Sequence, residues 1–155
     1  MNTTTTRLAT LDDVDAVATL FDAYRQFYQQ ASDLPLAKRF IGARLQNNES
    51  VILLAADTSQ RLLGFCQLYP TFCSVEAKPT YVLYDLFVTP SARRSGAGRI
   101  LLLAAEQLAA QRGMARLDLT TAKTNAAAQA AYASLGWIRD DVFFAYSKSV
   151  LQARS

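Results

Sequence analysis

Between an apolar run and a leucine-rich segment the chain carries RRSGAGR, Arg93 to Arg99, with three arginines and two glycines. A helix that starts near Gly98 leaves its first N–H groups without intrahelical partners, and its aligned peptide dipoles place partial positive charge at that end. Gly96 and Gly98 lack a Cβ, so the main chain can take nest-like angles and approach phosphate oxygens closely. Arg93, Arg94 and Arg99 add full charges around the rim, and the expected ligand is a pyrophosphate-like anion. Two familiar nucleotide loops fail on spacing. A dinucleotide fold needs a third glycine where Leu101 stands, and the glycine, lysine and hydroxyl residue of a Walker loop are missing. The plain alternative is a tight strand-to-helix turn with solvated arginines.

Other chemistry is constrained by what the chain lacks. It has no histidine, which removes the usual base of a serine or cysteine triad and the commonest metal ligand. Acid and base work falls to Tyr, Asp, Glu, Lys or the substrate. Asp85 is a lone carboxylate in an apolar run, where burial raises a pKa toward a useful range, although it could equally accept hydrogen bonds from its neighbours. Tyr24, Arg25, Phe27 and Tyr28 form an aromatic and basic cluster that could touch a substrate, and the three aromatics also suit a core stripe at helical spacing. Asn125 and Tyr132 lie two helical turns apart and share a face with Ala128 between them. Asn125 is also a good helix cap, and Tyr132 could equally be a core tyrosine packed beside Gly136.

The chain has 155 residues, a mass of 17.0 kDa and 51% hydrophobic content, which suits one domain spanning residues 1–155. It holds no apolar run of about 18 residues and begins with MNTTTTR, which lacks the regions of a signal peptide, so no membrane partner and a cytoplasmic location are expected. Cys66 and Cys73 lack CxxC spacing and read as buried strand residues, with neither a disulfide framework nor a metal site. A net charge of +3 and a pI near 9.0 favour an anionic small ligand as readily as nucleic acid.

These residues need elements to hold them. RLAT reads as a short strand. Helices follow from Thr10 to about Gln29 and across SDLPLAKRFIGARLQNN, the second capped by Ser32 or Asp33 with Pro35 in its first turn. SVILLAA, RLLGFCQLYPTF and PTYVLYDLFVTP read as an antiparallel meander. Then come a helix over GRILLLAAEQLAAQRG, a strand at ARLDLTT, a helix over NAAAQAAYASLG and a final strand or hairpin at WIRDDVFFAYSKS. The expected class is α+β, a mixed α/β arrangement with helices on both faces of a mixed sheet.

The stretch YDLFVTPSARRSGAGRILL, Tyr84 to Leu102, resembles the acetyl-CoA-binding motif of the GNAT superfamily of N-acetyltransferases. That motif reads Arg or Gln, two residues, Gly, one residue, Gly or Ala, and Arg93, Gly96 and Gly98 fill its fixed places. NAAAQAAYASLGW is similar to a second GNAT motif, through Asn125, Tyr132, Gly136 and Trp137. The order of elements matches the family over residues 4 to 149, and the start and the DLFV strand look most like bacterial histone-acetyltransferase-like and polyamine-acetyltransferase-like members.

The resemblance implies the GNAT fold, a mostly antiparallel central sheet with a parallel split at strands 4 and 5. It implies that acetyl-CoA enters that split, its pyrophosphate on the loop Arg93, Arg94, Ser95, Gly96, Ala97, Gly98 and Arg99. Main-chain groups of Leu86, Phe87 and Val88 would pair with the pantetheine arm and, through a strand distortion, offer an N–H to the thioester oxygen, where such a donor contributes roughly 3 kcal/mol. Asn125, Ala128 and Tyr132 would line the cofactor, with Tyr132 the general acid for the departing thiolate, because a phenol with a pKa of about 10 stays protonated. Polyamine-type members carry a glutamate before the strand aspartate where this chain has Tyr84, so Tyr84 and Asp85 are the candidates on the amine side and the base stays open. Tyr24, Arg25 and Tyr28 are the candidate substrate contacts. The implied activity is transfer of acetyl to a primary amine of a small molecule or protein by direct attack in a ternary complex. The amine class is undetermined, and an open sheet edge allows a homodimer through the last strand. A non-catalytic acyl-CoA-binding module of the same fold is the alternative. A nucleic-acid binder would show steep salt dependence and no competition by CoA, and is disfavoured.

Overall fold

A computed structural model describes residues 3–151. The chain divides into two compact units, Met1–Thr120 and Thr121–Ser155. The first contains a five-stranded sheet in the order β1 (Thr5–Leu8), β2 (Val51–Ala56), β3 (Leu62–Cys73), β4 (Lys78–Val88) and β5 (Leu117–Asp118). Pairing is antiparallel from β1 to β4 and parallel between β4 and β5. The helices of this unit are α1 (Val14–Phe27), α2 (Leu34–Gln46) and α3 (Ala97–Gln111).

Local chemistry explains the boundaries. The Asp13 carboxylate accepts from the Thr10 N–H at 2.8 Å and from both Arg7 terminal nitrogens at 2.8 Å, which fixes the entry to α1. Asp22, buried on α1, accepts from Ser32 Oγ at 2.7 Å and from the Asp33 N–H at 2.8 Å, so the loop between the first two helices is pinned from below. Asp33 then caps α2 by accepting from the Leu36 N–H at 3.1 Å, with a proline in the first turn. The turn between β2 and β3 is held by Asp57 Oδ1, which accepts from the Ser59 and Arg61 N–H groups at 2.9 Å.

The sheet is covered on both faces. Ile52, Leu54, Phe65 and Phe87 pack with Val17, Ala18, Leu20, Phe21, Ala37 and Ile41 from α1 and α2. The alternate strand residues Leu53, Ala55 and Cys66 are also buried, and by the period of two they face the layer of α3, whose Leu101, Leu102, Ala105 and Ala109 are buried. Cys66 lies within this core, whereas Cys73, expected to be buried, is half-exposed at the end of β3.

Two irregularities in β4 bear on function. Gln67 pairs with Asp85 and Leu68 with Leu83, so Tyr84 is an extra residue that bulges from the ladder. Beyond Val82, β4 runs on to Val88 while β5 stops at Asp118, which leaves the outer edge of β4 open.

The second unit contains α4 (Ala126–Ser134). Asn125 caps it by accepting from the Ala128 N–H at 3.1 Å. It ends in a Schellman turn: Gly136 has φ 90°, its N–H donates to the Ala133 carbonyl at 3.1 Å, and Trp137 N–H donates to the Tyr132 carbonyl at 3.0 Å. The final strand or hairpin expected at residues 137–149 is not formed among the described residues. Asp140 interrupts the run, because its carboxylate accepts from the Val142 and Phe143 N–H groups at 3.2 Å and bends the chain where a ladder would need it extended. The strand expected over residues 115–121 shortens to Leu117–Asp118.

Candidate active site

The loop at the start of α3 is built by backbone conformation. Gly96 is the N-cap residue, has φ 88° in the left-handed region and provides no side-chain cap. Arg94 also has a positive φ, 69°, which is uncommon for a residue with a Cβ. The hydroxyl of Ser95 donates to the Ala92 carbonyl and accepts from the Ala97 N–H at 3.3 Å, tying the loop into a compact turn. A Cβ on Gly96 would meet no atom within 4 Å, so glycine is required by the backbone angle and the open approach rather than by crowding. The loop therefore fits an anionic phosphate group at a helix N-terminus. Arg94 and Arg99 are exposed at its rim. Arg93 is engaged elsewhere: its Nε donates to the Val88 carbonyl at 3.2 Å, and its guanidinium lies 5.6 Å from the Phe27 ring and 5.8 Å from that of Phe87.

The open edge leads into this loop. Thr89 N–H donates to the Leu63 carbonyl of β3 at 2.8 Å, and Phe87 is paired with Phe65. By antiparallel alternation the main-chain groups of Phe87 and Asp85 face β3, whereas those of Leu86 and Val88 face the edge that β5 does not reach. Of the three main-chain positions expected to meet the pantetheine arm, Leu86 and Val88 are placed to do so and Phe87 is not. The strand distortion expected near them sits at Tyr84.

Asp85 is 5% exposed and its Oδ2 accepts from Gln67 Nε2 at 2.7 Å. Gln67 is fully buried, and its Oε1 accepts from Ser50 Oγ at 2.7 Å. Burial pushes the Asp85 carboxyl above the usual aspartate range, while the Gln67 amide and the Tyr24 phenol pull it back. Tyr24 is half-buried and donates to the Tyr84 carbonyl at 3.4 Å. Burial, then the nearby Asp85 charge, holds its phenol far above the ordinary tyrosine range, so it stays a donor. Its ring packs edge-on against Phe65 and Phe87 at 5.9 and 6.1 Å and against Tyr28 at 5.1 Å. The α1 cluster is thus both core and surface: Phe21 and Tyr24 pack inward, while Phe27 and Tyr28 are exposed. Arg25 has a buried Nη1 without a hydrogen-bond partner among the described residues, and the Tyr84 side chain is 68% exposed.

Gln67 and Ser50 escaped the sequence reading. The available signal was a single amide inside the apolar strand LLGFCQLYP, in a meander with another strand whose single carboxylate is Asp85.

In the second unit Asn125 is the cap of α4 and Ala128 its hydrogen-bond donor. The Tyr132 ring lies 5.9 Å from that of Trp137, the contact that accompanies a Schellman turn. Among the described residues no group of three or more Cys, Asp or Glu could hold a metal ion, and no helix is long and apolar enough to cross a membrane.

Residues 15–137 match the model of the acetyltransferase (GNAT) family. The chain is 48% identical to the uncharacterized N-acetyltransferase YhfO of Bacillus subtilis (strain 168), over 93% of this chain and 96% of that protein. A crystal structure of "a probable acetyltransferase" superposes with a TM-score of 0.90 at 37% identity, covering 96% of this chain and 99% of the other. An aminoglycoside N-acetyltransferase solved in complex with CoA shares the fold at 16% identity, with a TM-score of 0.79 and 96% coverage of each chain. The mixed sheet with its parallel β4–β5 pair, the glycine-led α3 and these similarities converge: the chain belongs to the GNAT acetyltransferase family.

Proposed function

We propose that this protein transfers the acetyl group of acetyl-CoA to a primary amine by direct attack within a ternary complex. The observation that supports this reading best is the open edge of β4 at Leu86 and Val88, running into a helix whose capping position is a glycine, with Ser95 Oγ taking only the Ala97 N–H. An extended amide-bearing arm can add to that edge as a strand would, and a diphosphate can complete the uncapped N–H groups. The Leu86 or Val88 N–H then stabilises charge on the thioester oxygen.

The amine nitrogen forms its bond to the acetyl carbon as the carbon–sulfur bond breaks. Tyr132 gives its proton to the departing sulfur. The proton released by the amine passes to Asp85 through the Tyr24 hydroxyl, which accepts one proton as it donates its own. Arg25 and Tyr28, beside Tyr24 on α1, contact the substrate, and Tyr84 borders the amine side. Cys66 does not serve as an acyl carrier, because burial raises its thiol pKa far above its ordinary range and keeps it un-ionised; Cys73, whose thiol pKa the Glu76 main chain and Arg116 lower, pairs with Lys78 at the opposite end of β4 from Val88. The protein works in the cytoplasm as one functional domain and as a homodimer, which light scattering would read as twice the 17.0 kDa chain mass.

Calorimetric titration with acetyl-CoA, followed by thiol release across polyamines, aminoglycosides, lysine peptides and small metabolic amines, tests the reaction. Binding with thiol release for one amine class is the expected result. Binding without release for any amine would instead support an acyl-CoA-binding module. Tyr132→Phe is expected to lower kcat by about 100-fold with little change in CoA affinity.

A further inference from the structure

We infer that Gln67 and Ser50 are positioning residues for Asp85, forming a buried polar chain that aims its carboxylate. The inference rests on the reading of Asp85 given above, and its geometry stands apart from that reading. Ser50, Gln67 and Asp85 are 9%, 0% and 5% exposed, and the two links are both 2.7 Å. They come from the residue just before β2, from β3 and from β4, so the chain runs across the sheet. A core need not carry such groups: an amide and a carboxylate without water are costly unless every polar atom is partnered.

The direction of each bond sets the function. Ser50 Oγ donates to Gln67 Oε1, which leaves the NH2 end of the amide to face Asp85 Oδ2. A reversed amide would set a carbonyl against a carboxylate. The carboxylate, which only accepts, selects the NH2 end of the amide, Ser50 satisfies and anchors the oxygen end, and the second carboxylate oxygen is left to the Tyr24 side. The bulge at Tyr84 starts beside this pair, where Gln67 opposes Asp85. The groups facing the carboxylate are Tyr24 from α1, Cys66, Gln67 and Tyr69 from β3, and Tyr84 beside it on β4. None is a cation, so the amide donor is a main support of the ionised form, and its loss raises the pH at which Asp85 gives up its proton.

The test uses Gln67→Met, which keeps volume and removes the donor, and Ser50→Ala, which frees the amide with less disturbance of packing. Two readouts are taken: the acid limb of kcat/KM against pH, and the pH midpoint of the Asp85 carboxyl carbon by NMR on 13C-aspartate-labelled protein. Gln67→Met is expected to move both upward by about one pH unit and to lower the plateau kcat about tenfold, with the KM for acetyl-CoA within about twofold of wild type. Ser50→Ala is expected to shift them the same way by less, and it carries the test if Gln67→Met does not fold. Unmoved midpoints in a folded variant overturn the inference. A shifted NMR midpoint in a protein that acetylates no amine upholds the polar chain and defeats the catalytic reading of Asp85.

Discussion

The helices α2 and α3 begin in opposite ways. Asp33 closes the first turn of α2 with its own carboxylate. α3 begins at a left-handed glycine that offers no side chain to its N–H groups. α4 follows α2, with Asn125 as its cap, while α1 is entered through a turn in which Asp13 accepts from the Thr10 N–H and caps no N–H of α1 itself. A cap is worth about 1 kcal/mol, so a glycine in the capping position of α3 forgoes that stability. That place adjoins the open edge of β4, and although Ser95 Oγ accepts from the Ala97 N–H, the rest of the first turn suits the diphosphate proposed above.

The contrast can be broken most decisively at Gly96. Gly96→Val puts a β-branched residue at φ 88°, and CoA affinity measured by calorimetry is expected to fall by about 100-fold; unchanged affinity would mean that the glycine serves only the turn. Asp33→Ala is the matching change at a capped helix. It should lower stability by about 1 kcal/mol in a denaturant titration and leave CoA affinity as it was. Asn125→Ala should cost up to about 1 kcal/mol in the same assay, and a larger loss of CoA affinity than of stability would add a binding role to its cap.

The smallest effect belongs to Asp13. Its hydrogen bonds from Arg7, then those from Thr10, hold the carboxyl at about 2 against an ordinary 3.8. A depressed folded pKa gives stability that is complete above 3.8 and is lost as the pH falls toward 2. Asp13→Asn should flatten that part of the melting-temperature profile, by no more than about 1 kcal/mol because Arg7 is exposed.

Much of the frame was legible in the sequence because it is written locally. Thr10, Asp33 with Pro35, Asn125 and Gly136 mark helix ends by side-chain chemistry, and the apolar runs between turn residues mark β2, β3 and β4. The glycine-led start of α3 was legible too, since a glycine in the capping position is visible in RRSGAGR. What stayed hidden depends on register. Which residue of β4 bulges decides whether Phe87 or its neighbours face the open edge, and one-residue offsets leave no trace in composition. The bond from Gln67 to Asp85 joins residues 18 apart and the bond from Ser50 to Gln67 joins residues 17 apart, so only the folded meander brings them together. The final strand was misread because its aromatic residues fit a strand, while Asp140 supplies competing hydrogen bonds.

The supernumerary Tyr84 has a further consequence. Its ring is mostly exposed and meets one neighbour, the Tyr69 ring at 5.5 Å, and its place in the ladder is surplus, so exchanging it costs that contact and leaves the buried core in place. On the proposed role of Asp85, this exposed neighbour is where a lineage could retune the accepted amine while the buried frame stays intact.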